Sequence, residues 1–265
     1  MLQARKFDQA YKQLERSVLP QREAAAKKEA DRNKAALARN SKAKVNKHHT
    51  NFLKRWWLMS YPRDDMMKAI TPLSRYIVCG QVTKRPIFEF VSSAINPNAA
   101  LMVFSYDDDY SFGVLQSDIH WQWFTNRCST LTERFRYTSN TVWDSFPWPQ
   151  TPSAASAKKV AAAAVSLRAT RAALLKKHRM SLRDLYRSME LPGDHPLKGS
   201  HAKLDAAVRE AYGMTPKQNV LAFLLALNAK VADAETKGEF VQAPGLPTTV
   251  AAKKAAFIST DALQP

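Results

Sequence analysis

Three short apolar runs, Arg75-Tyr76-Ile77-Val78-Cys79, Ile87-Phe88-Glu89-Phe90-Val91 and Leu101-Met102-Val103-Phe104, are set off by Gly80, Pro86 and Asn96-Pro97-Asn98. Runs this short, rich in β-branched and aromatic side chains and punctuated by turn formers, predict strands. After Asp107-Asp108-Asp109 the period changes: Phe112, Leu115, Gln116, Ile119 and Trp123 recur at helical spacing. The acids stand where a helix dipole favours negative charge, so one amphipathic helix is predicted to follow the strands.

Beyond Pro147-Trp148-Pro149-Gln150-Thr151-Pro152-Ser153, which reads as a hinge, the pattern is helical throughout. Val160, Ala164, Leu167 and Leu174 line a first helix, and Leu182, Leu185, Tyr186 and Met189 a second that Ser181 caps and Pro192-Gly193 ends. A third carries Leu204, Val208 and Tyr212 up to Gly213, and a fourth starts at Thr215-Pro216 and carries Leu221, Leu224 and Leu225. Past Gly238, Pro, Thr and Ala content predicts a loose tail. The first fifty residues have helical propensity but little to bury and predict an exposed basic helix or linker. The expected architecture is α+β: a basic helical extension at 1–50, a mixed α/β domain at 51–150, a small helical bundle at 151–237 and a flexible tail at 238–265.

Charge sharpens this division. The 265-residue chain has a formal net charge of +17. Residues 1–50 hold 13 Lys/Arg against 5 Asp/Glu, residues 51–150 hold 10 against 9, and residues 151–265 hold 17 against 9. A nearly neutral middle therefore lies between two basic flanks, and it holds all six tryptophans. Clustered cations point to a polyanionic partner, since they displace condensed counterions from nucleic acid. An anionic membrane would attract the same charge, but its amphipathic helix presents Trp, Phe or Leu opposite the cations, whereas these flanks are Ala-rich. No apolar stretch approaches the roughly 20 residues that span a bilayer, and the N-terminus from Met1 to Asp8 lacks a signal-peptide core. A cytoplasmic protein is expected, with Cys79 and Cys128 as buried thiols rather than a disulfide or zinc pair.

Catalytic patterns are missing. The seven glycines include no two within five residues of one another, so the glycine-rich turn that lets a backbone approach S-adenosylmethionine is not present. Amino-methyltransferases grip the flipped base with an Asn/Asp-Pro-Pro-aromatic loop, and Asn96-Pro97-Asn98 lacks the second proline and the ring. For Asp107 to Asp109, helix capping with an ion pair to a basic neighbour is a stronger reading than a metal site, because adjacent side chains diverge. His120, His178, His195 and His201 show no ligand spacing and are read as caps or surface residues.

From about Phe52 the sequence resembles a known family. The stretch Asp107-Asp108-Asp109-Tyr110-Ser111-Phe112-Gly113-Val114-Leu115-Gln116-Ser117-Asp118-Ile119-His120-Trp121, then Ser129-Thr130-Leu131, Arg134-Phe135-Arg136-Tyr137-Thr138 and Trp143-Asp144-Ser145-Phe146-Pro147-Trp148-Pro149, is similar to the target-recognition domain of type IIL, MmeI-like restriction-modification adenine methyltransferases. Trp56-Trp57, Arg63, Arg75-Tyr76-Ile77 and Val82-Thr83-Lys84-Arg85-Pro86 resemble the start of that domain. His201-Ala202-Lys203-Leu204-Asp205-Ala206-Ala207-Val208 and Ala211-Tyr212-Gly213 resemble the helical C-terminal domain of the same enzymes. The resemblance implies a DNA recognition module from enzymes that use S-adenosylmethionine to methylate adenine N6. Because the motifs for catalysis, cofactor and metal are missing from these residues, this chain alone is expected to have no catalytic site, cofactor or metal.

A recognition module needs side chains on base edges and phosphate contacts that fix register. Candidates are Thr83, Lys84 and Arg85 between the first strands, with ordinary strand-end charge an equal alternative for Lys84 and Arg85, and Arg134, Arg136, Tyr137, Thr138, Ser139 and Asn140 after the predicted helix. For Arg134 and Arg136, pairing with Asp107 to Asp109 is an equal alternative, and Trp143, Phe146 and Trp148 are read as packing. Lys158, Lys159, Arg168, Arg171, Lys176 and Lys177 on the first bundle helix could clamp phosphates or simply face solvent. The partner is expected to be double-stranded DNA, with a separate methyltransferase subunit acting in trans as an alternative role and a non-specific nucleic-acid binder as another.

Overall fold

The computed structural model describes residues 3–58, 63–131 and 134–265, so Met1 and Leu2 of the N-terminal stretch lie outside the described residues. The chain forms two compact units, Met1–Asp65 and Met66–Pro265.

In the first unit, α1 (Asp8–Ser17), α2 (Leu19–Arg39) and α3 (His48–Leu53) follow one another. Little apolar surface is available, so polar clasps hold the turn between α2 and α3. Glu29 of α2 accepts hydrogen bonds from the backbone N–H groups of His49 (3.0 Å) and Thr50 (2.9 Å) and from the Thr50 hydroxyl (2.9 Å). These are orphan donors of the α3 N-terminus, which a carboxylate satisfies well. Asn33 and Asn46 exchange two more bonds, at 2.6 and 3.1 Å. Trp56 is buried with its ring 5.4 Å from that of Tyr11. The expected boundary at 50/51 therefore fails: the basic segment is a folded helical unit, and Trp56 belongs to its core rather than to the α/β domain.

The second unit begins at Met66, within α4 (Asp64–Ile70). Its first sheet contains β1 (Arg75–Gly80), β3 (Glu89–Ser92) and β4 (Leu101–Phe104), antiparallel in the order β3-β1-β4. The three runs read as strands in the sequence are these strands. β1 is central and buried on both faces: Ile77 and Cys79 join the main core, while Tyr76 and Val78 pack with Ile70 and Val91 on the other side. After β1 the chain steps at Gln81 into β2 (Val82–Thr83), the first edge of a second antiparallel sheet, β2-β6-β5, with β5 (Ser129–Leu131) and β6 (Arg134–Arg136).

The single helix expected over 112–123 is two, α5 (Asp109–Gln116) and α6 (Asp118–Arg127). Ser117 causes the break: its extended backbone and its hydroxyl, which accepts from His120 N–H and donates to Val114 O at 2.7 Å, make it an N-cap. All eight residues of α5 are buried, so this helix needs cover on every side. The long α7 (Ala154–His178) supplies it, and the two helices touch at Gly113, where a Cβ would lie 2.7 Å from Val160 Cγ1 and 3.3 Å from Ala164 Cβ. α8 (Leu182–Glu190), capped by Ser181, and α9 (Pro196–Ala211), capped by His195, complete the layer. α10 (Val220–Lys237) starts later than read, because Asn219 rather than Thr215 is its cap; it ends at Gly238, whose φ of 69° suits glycine.

The boundary expected at 150/151 fails as well. One hydrophobic core runs from Ile77, Phe88 and Phe104 through Trp123 and Tyr137 to Val160, Leu167, Leu204 and Leu224. The expected hinge is clasped, with Tyr212 Oη donating to Pro147 O (2.8 Å) and Gln242 N–H to Gln150 Oε1 (3.0 Å). Nor is 238–265 a loose tail, since Val250 in α11 (Thr248–Ala251) and Phe257 enter the same core. Leu263 then bonds in parallel to the edge of β3, donating to Phe90 O and accepting from Ser92 N–H at 2.9 Å each. Among the described residues no helix is long and apolar enough to cross a membrane.

Candidate nucleic-acid interface

The β2-β6-β5 sheet sorts its side chains by alternation. Arg136 lies opposite Val82 and Ser129, and Phe135 opposite Thr83 and Thr130. Phe135 turns inward onto Trp121 (5.9 Å between rings) and Phe124 (5.7 Å), and Tyr137, two residues on, stacks on Phe124 at 5.3 Å. The opposite face therefore carries Arg134 and Arg136 from β6, Ser129 from β5 and Val82 from β2, all four exposed, and Lys84 is exposed in the bend that follows β2. Next to this face, Ser139 and Asn140 stand exposed on a helical turn, Ser139–Trp143, with Thr138 half-buried before it and hydrogen-bonded to Thr141. Two arginines and a serine hydroxyl thus share one surface over an aromatic layer, with Lys84, Ser139 and Asn140 exposed on the segments adjoining the sheet. Such a surface can bind phosphates and read base edges.

Several candidates lie elsewhere. Tyr137 is fully buried, its hydroxyl 2.9 Å from His120 Nε2, so it supports the sheet and does not face a ligand. Thr83 is half-buried and closes a turn with Arg85 O at 2.7 Å. Arg85 is half-buried, its guanidinium 5.7 Å from both the Trp121 and Tyr186 rings, and it lines a cavity of about 60 Å³. On α7, Lys158, Lys176 and Lys177 are exposed, and Lys159 bonds Glu210 at 2.7 Å. Arg168 and Arg171, at 5% and 2% exposure, are not available to DNA. Arg171 donates to Phe88 O at 3.0 Å and pairs with Glu89, and Arg168 pairs with Asp109 and Asp261. They lie on the buried face of α7, where a neutral-looking pattern of alanines hid how much is packed against it.

The acidic run is spent within the fold. Asp108 caps α5 through Ser111 N–H at 2.7 Å, Asp107 pairs with Lys254 at 2.7 Å, and Asp109 binds Arg75 (2.9 Å) and Arg168. Capping with ion pairs is thus what the run does, but its partners are Arg75, Arg168 and Lys254, not Arg134 or Arg136. Among the described residues no three His, Cys, Asp or Glu side chains converge on a metal position. Of the histidines, His195 caps α9 and His178 is exposed as read, whereas His120 and His201 are buried against tyrosines, with Tyr186 Oη 3.0 Å from His201 Nε2. Burial holds His120 down to about 3 and His201 to about 4, so both are neutral at pH 7. Cys79 is a buried thiol and Cys128 a half-buried one.

The cavity beside Arg85 also holds Asp205 of α9, which accepts the Asp118 N–H at 2.8 Å and so helps to cap α6. Burial, only partly offset by that bond, raises its pKa from 3.8 to about 6. Between these values the folded state binds more protons than the unfolded one, so this group's contribution to stability falls as pH rises through the window. Asp205→Asn keeps the accepting oxygen and cannot ionise. The melting temperature of the variant minus that of the parent should therefore rise between pH 4 and pH 7; a difference that stays constant would show that Asp205 does not titrate abnormally.

Comparison with known proteins places this geometry. Residues 84–150 match the family model "MmeI, target recognition domain". That span begins at Lys84 and contains β6 and the Ser139 turn. Among solved structures, the Type IIL restriction-modification enzyme MmeI in complex with DNA aligns with 76% of the chain at a TM-score of 0.57 and 23% identity. The chain spans a quarter of that enzyme's length, 25%. No curated protein matches it. In its fold the chain resembles that part of MmeI, and its residues 84–150 are similar to the MmeI target-recognition domain.

Proposed function

We propose that this chain is the DNA-recognition module of an MmeI-like, site-specific adenine-N6 methyltransferase or restriction system, with methyl transfer carried out by residues outside these 265. The observation that carries this reading is the exposed β2-β6-β5 face, which bears Arg134 and Arg136 and adjoins the exposed Lys84 and Asn140 within the recognition-domain match. Base contacts come from that face and the Ser139 turn, while Lys158, Lys176 and Lys177 supply phosphate contacts without sequence information. The missing glycine-rich turn and Asn/Asp-Pro-Pro loop support a module that does not itself hold S-adenosylmethionine.

The purified chain should bind duplex DNA in fluorescence anisotropy, with affinity falling steeply as salt is raised, and should give no heat with S-adenosylmethionine in calorimetric titration. Micromolar cofactor binding would return catalysis to this chain. Failure to bind any duplex at low salt would remove the recognition role.

A further inference from the structure

We propose that the edge of β3 and the Arg75–Arg168 pair together form a peptide-binding groove. Its ligand is an extended segment of the pattern Ser-x-Asp-x-Leu, and in this chain Ser259 to Leu263 fill it. The receptor half of this groove is built without the ligand. Arg75 is held over the Phe90 ring at 3.6 Å, with its Nε donating to Asp107 O (2.9 Å) and Nη2 to Asp109 Oδ1 (2.9 Å). Arg168 lies against both the Phe90 and Phe112 rings, at 4.9 and 4.5 Å, and pairs with the same Asp109. Both guanidinium groups are thereby held by residues outside the segment, and Arg75 Nη1 and Arg168 Nε remain for a further acceptor.

The C-terminal segment uses those donors. Asp261 Oδ2 accepts from Arg168 Nε at 2.6 Å and Oδ1 from Arg75 Nη1 at 3.1 Å, while its own carbonyl takes a second bond from Arg75 Nη1 at 2.8 Å. Ser259 N–H donates to Asp109 Oδ2 at 2.9 Å. Two residues past the aspartate, Leu263 adds a parallel rung to β3, which otherwise has a free edge in its sheet. Strand addition supplies affinity through main-chain bonds and the aspartate supplies selectivity, as in other modes of peptide capture on a sheet edge. The segment lies on the outside of the site: the Asp261 side chain is 50% exposed and Leu263 56%, and the arginines lie beneath it. Release of residues 259–265 therefore uncovers a formed site and leaves the Phe257 anchor and the core in place.

The test uses the full-length chain with Asp261→Ala, which weakens the internal ligand and leaves Asp109 to neutralise both arginines. A labelled synthetic peptide spanning residues 257–265 should bind this variant with micromolar affinity and the parent chain at least tenfold more weakly, because the parent's groove is filled. The same peptide with Asp261→Ala should lose at least tenfold. A folded variant that binds neither peptide, or binds both equally, overturns the proposal. If the variant does not fold, hydrogen exchange of the parent chain decides: the Ser92 and Leu263 amides should exchange through an opening that leaves Tyr76 to Cys79 protected. Exchange of those two amides only together with β1 would show that the segment does not detach.

Discussion

Replacing Asp109 by alanine should destabilise the chain by about 3–5 kcal/mol, the usual cost of removing one partner from a buried ion pair. Its side chain is 4% exposed and faces two guanidinium groups that are equally buried. With the carboxylate gone, Arg75 and Arg168 stand against each other with Asp261, half in solvent, as their shared counter-charge. Neither arginine can turn to water, because each is packed on Phe90. Asp109→Asn should cost less, since it keeps an accepting oxygen for one arginine. Urea unfolding of the three proteins measures this; a loss below about 1 kcal/mol for the alanine variant, the range typical of exposed pairs, would mean that the cluster contributes no more than a surface salt bridge.

On the proposed interface, substitution should separate two kinds of residue. Arg136→Ala, Arg134→Ala or Lys84→Ala should change which duplexes are preferred, by about 1–3 kcal/mol of discrimination for each side chain that reads a base edge well. Substituting Lys158, Lys176 and Lys177 together should instead weaken all duplexes alike and reduce the salt dependence, leaving preference intact. Arg85→Ala belongs to neither class, because its guanidinium faces Trp121 and Tyr186. Competition binding among duplexes that differ at single positions tells these apart. If the Arg136, Arg134 and Lys84 substitutions lowered affinity uniformly, the face would bind phosphates only and base reading would lie elsewhere.

Much of this arrangement was legible, and the misreadings have specific causes. The three strands of the first sheet follow from their short apolar runs, because local propensity and burial agree there. In Arg134-Phe135-Arg136-Tyr137 the alternation itself assigns the arginines to one face and the rings to the other; grouping Tyr137 with the DNA-facing residues ignored that period. α7 holds a similar lesson. Val160, Ala164, Leu167 and Arg171 follow helical spacing of four, three and four, so Arg171 shares the buried stripe, yet its charge suggested surface. What no local pattern could show is a partner far along the chain: Arg168 lies 59 residues from Asp109. The same holds for residues 238–265, which are fixed by isolated anchors, Val250, Phe257 and Asp261, without any period to betray them.

The central claim, that these residues read DNA sequence, is tested most directly by incubating the full chain with a randomised duplex library at two salt concentrations and sequencing the retained fraction. One enriched motif is expected that persists at the higher salt and changes when Arg136 or Lys84 is replaced. A retained fraction indistinguishable from the input library at both salt concentrations would contradict it.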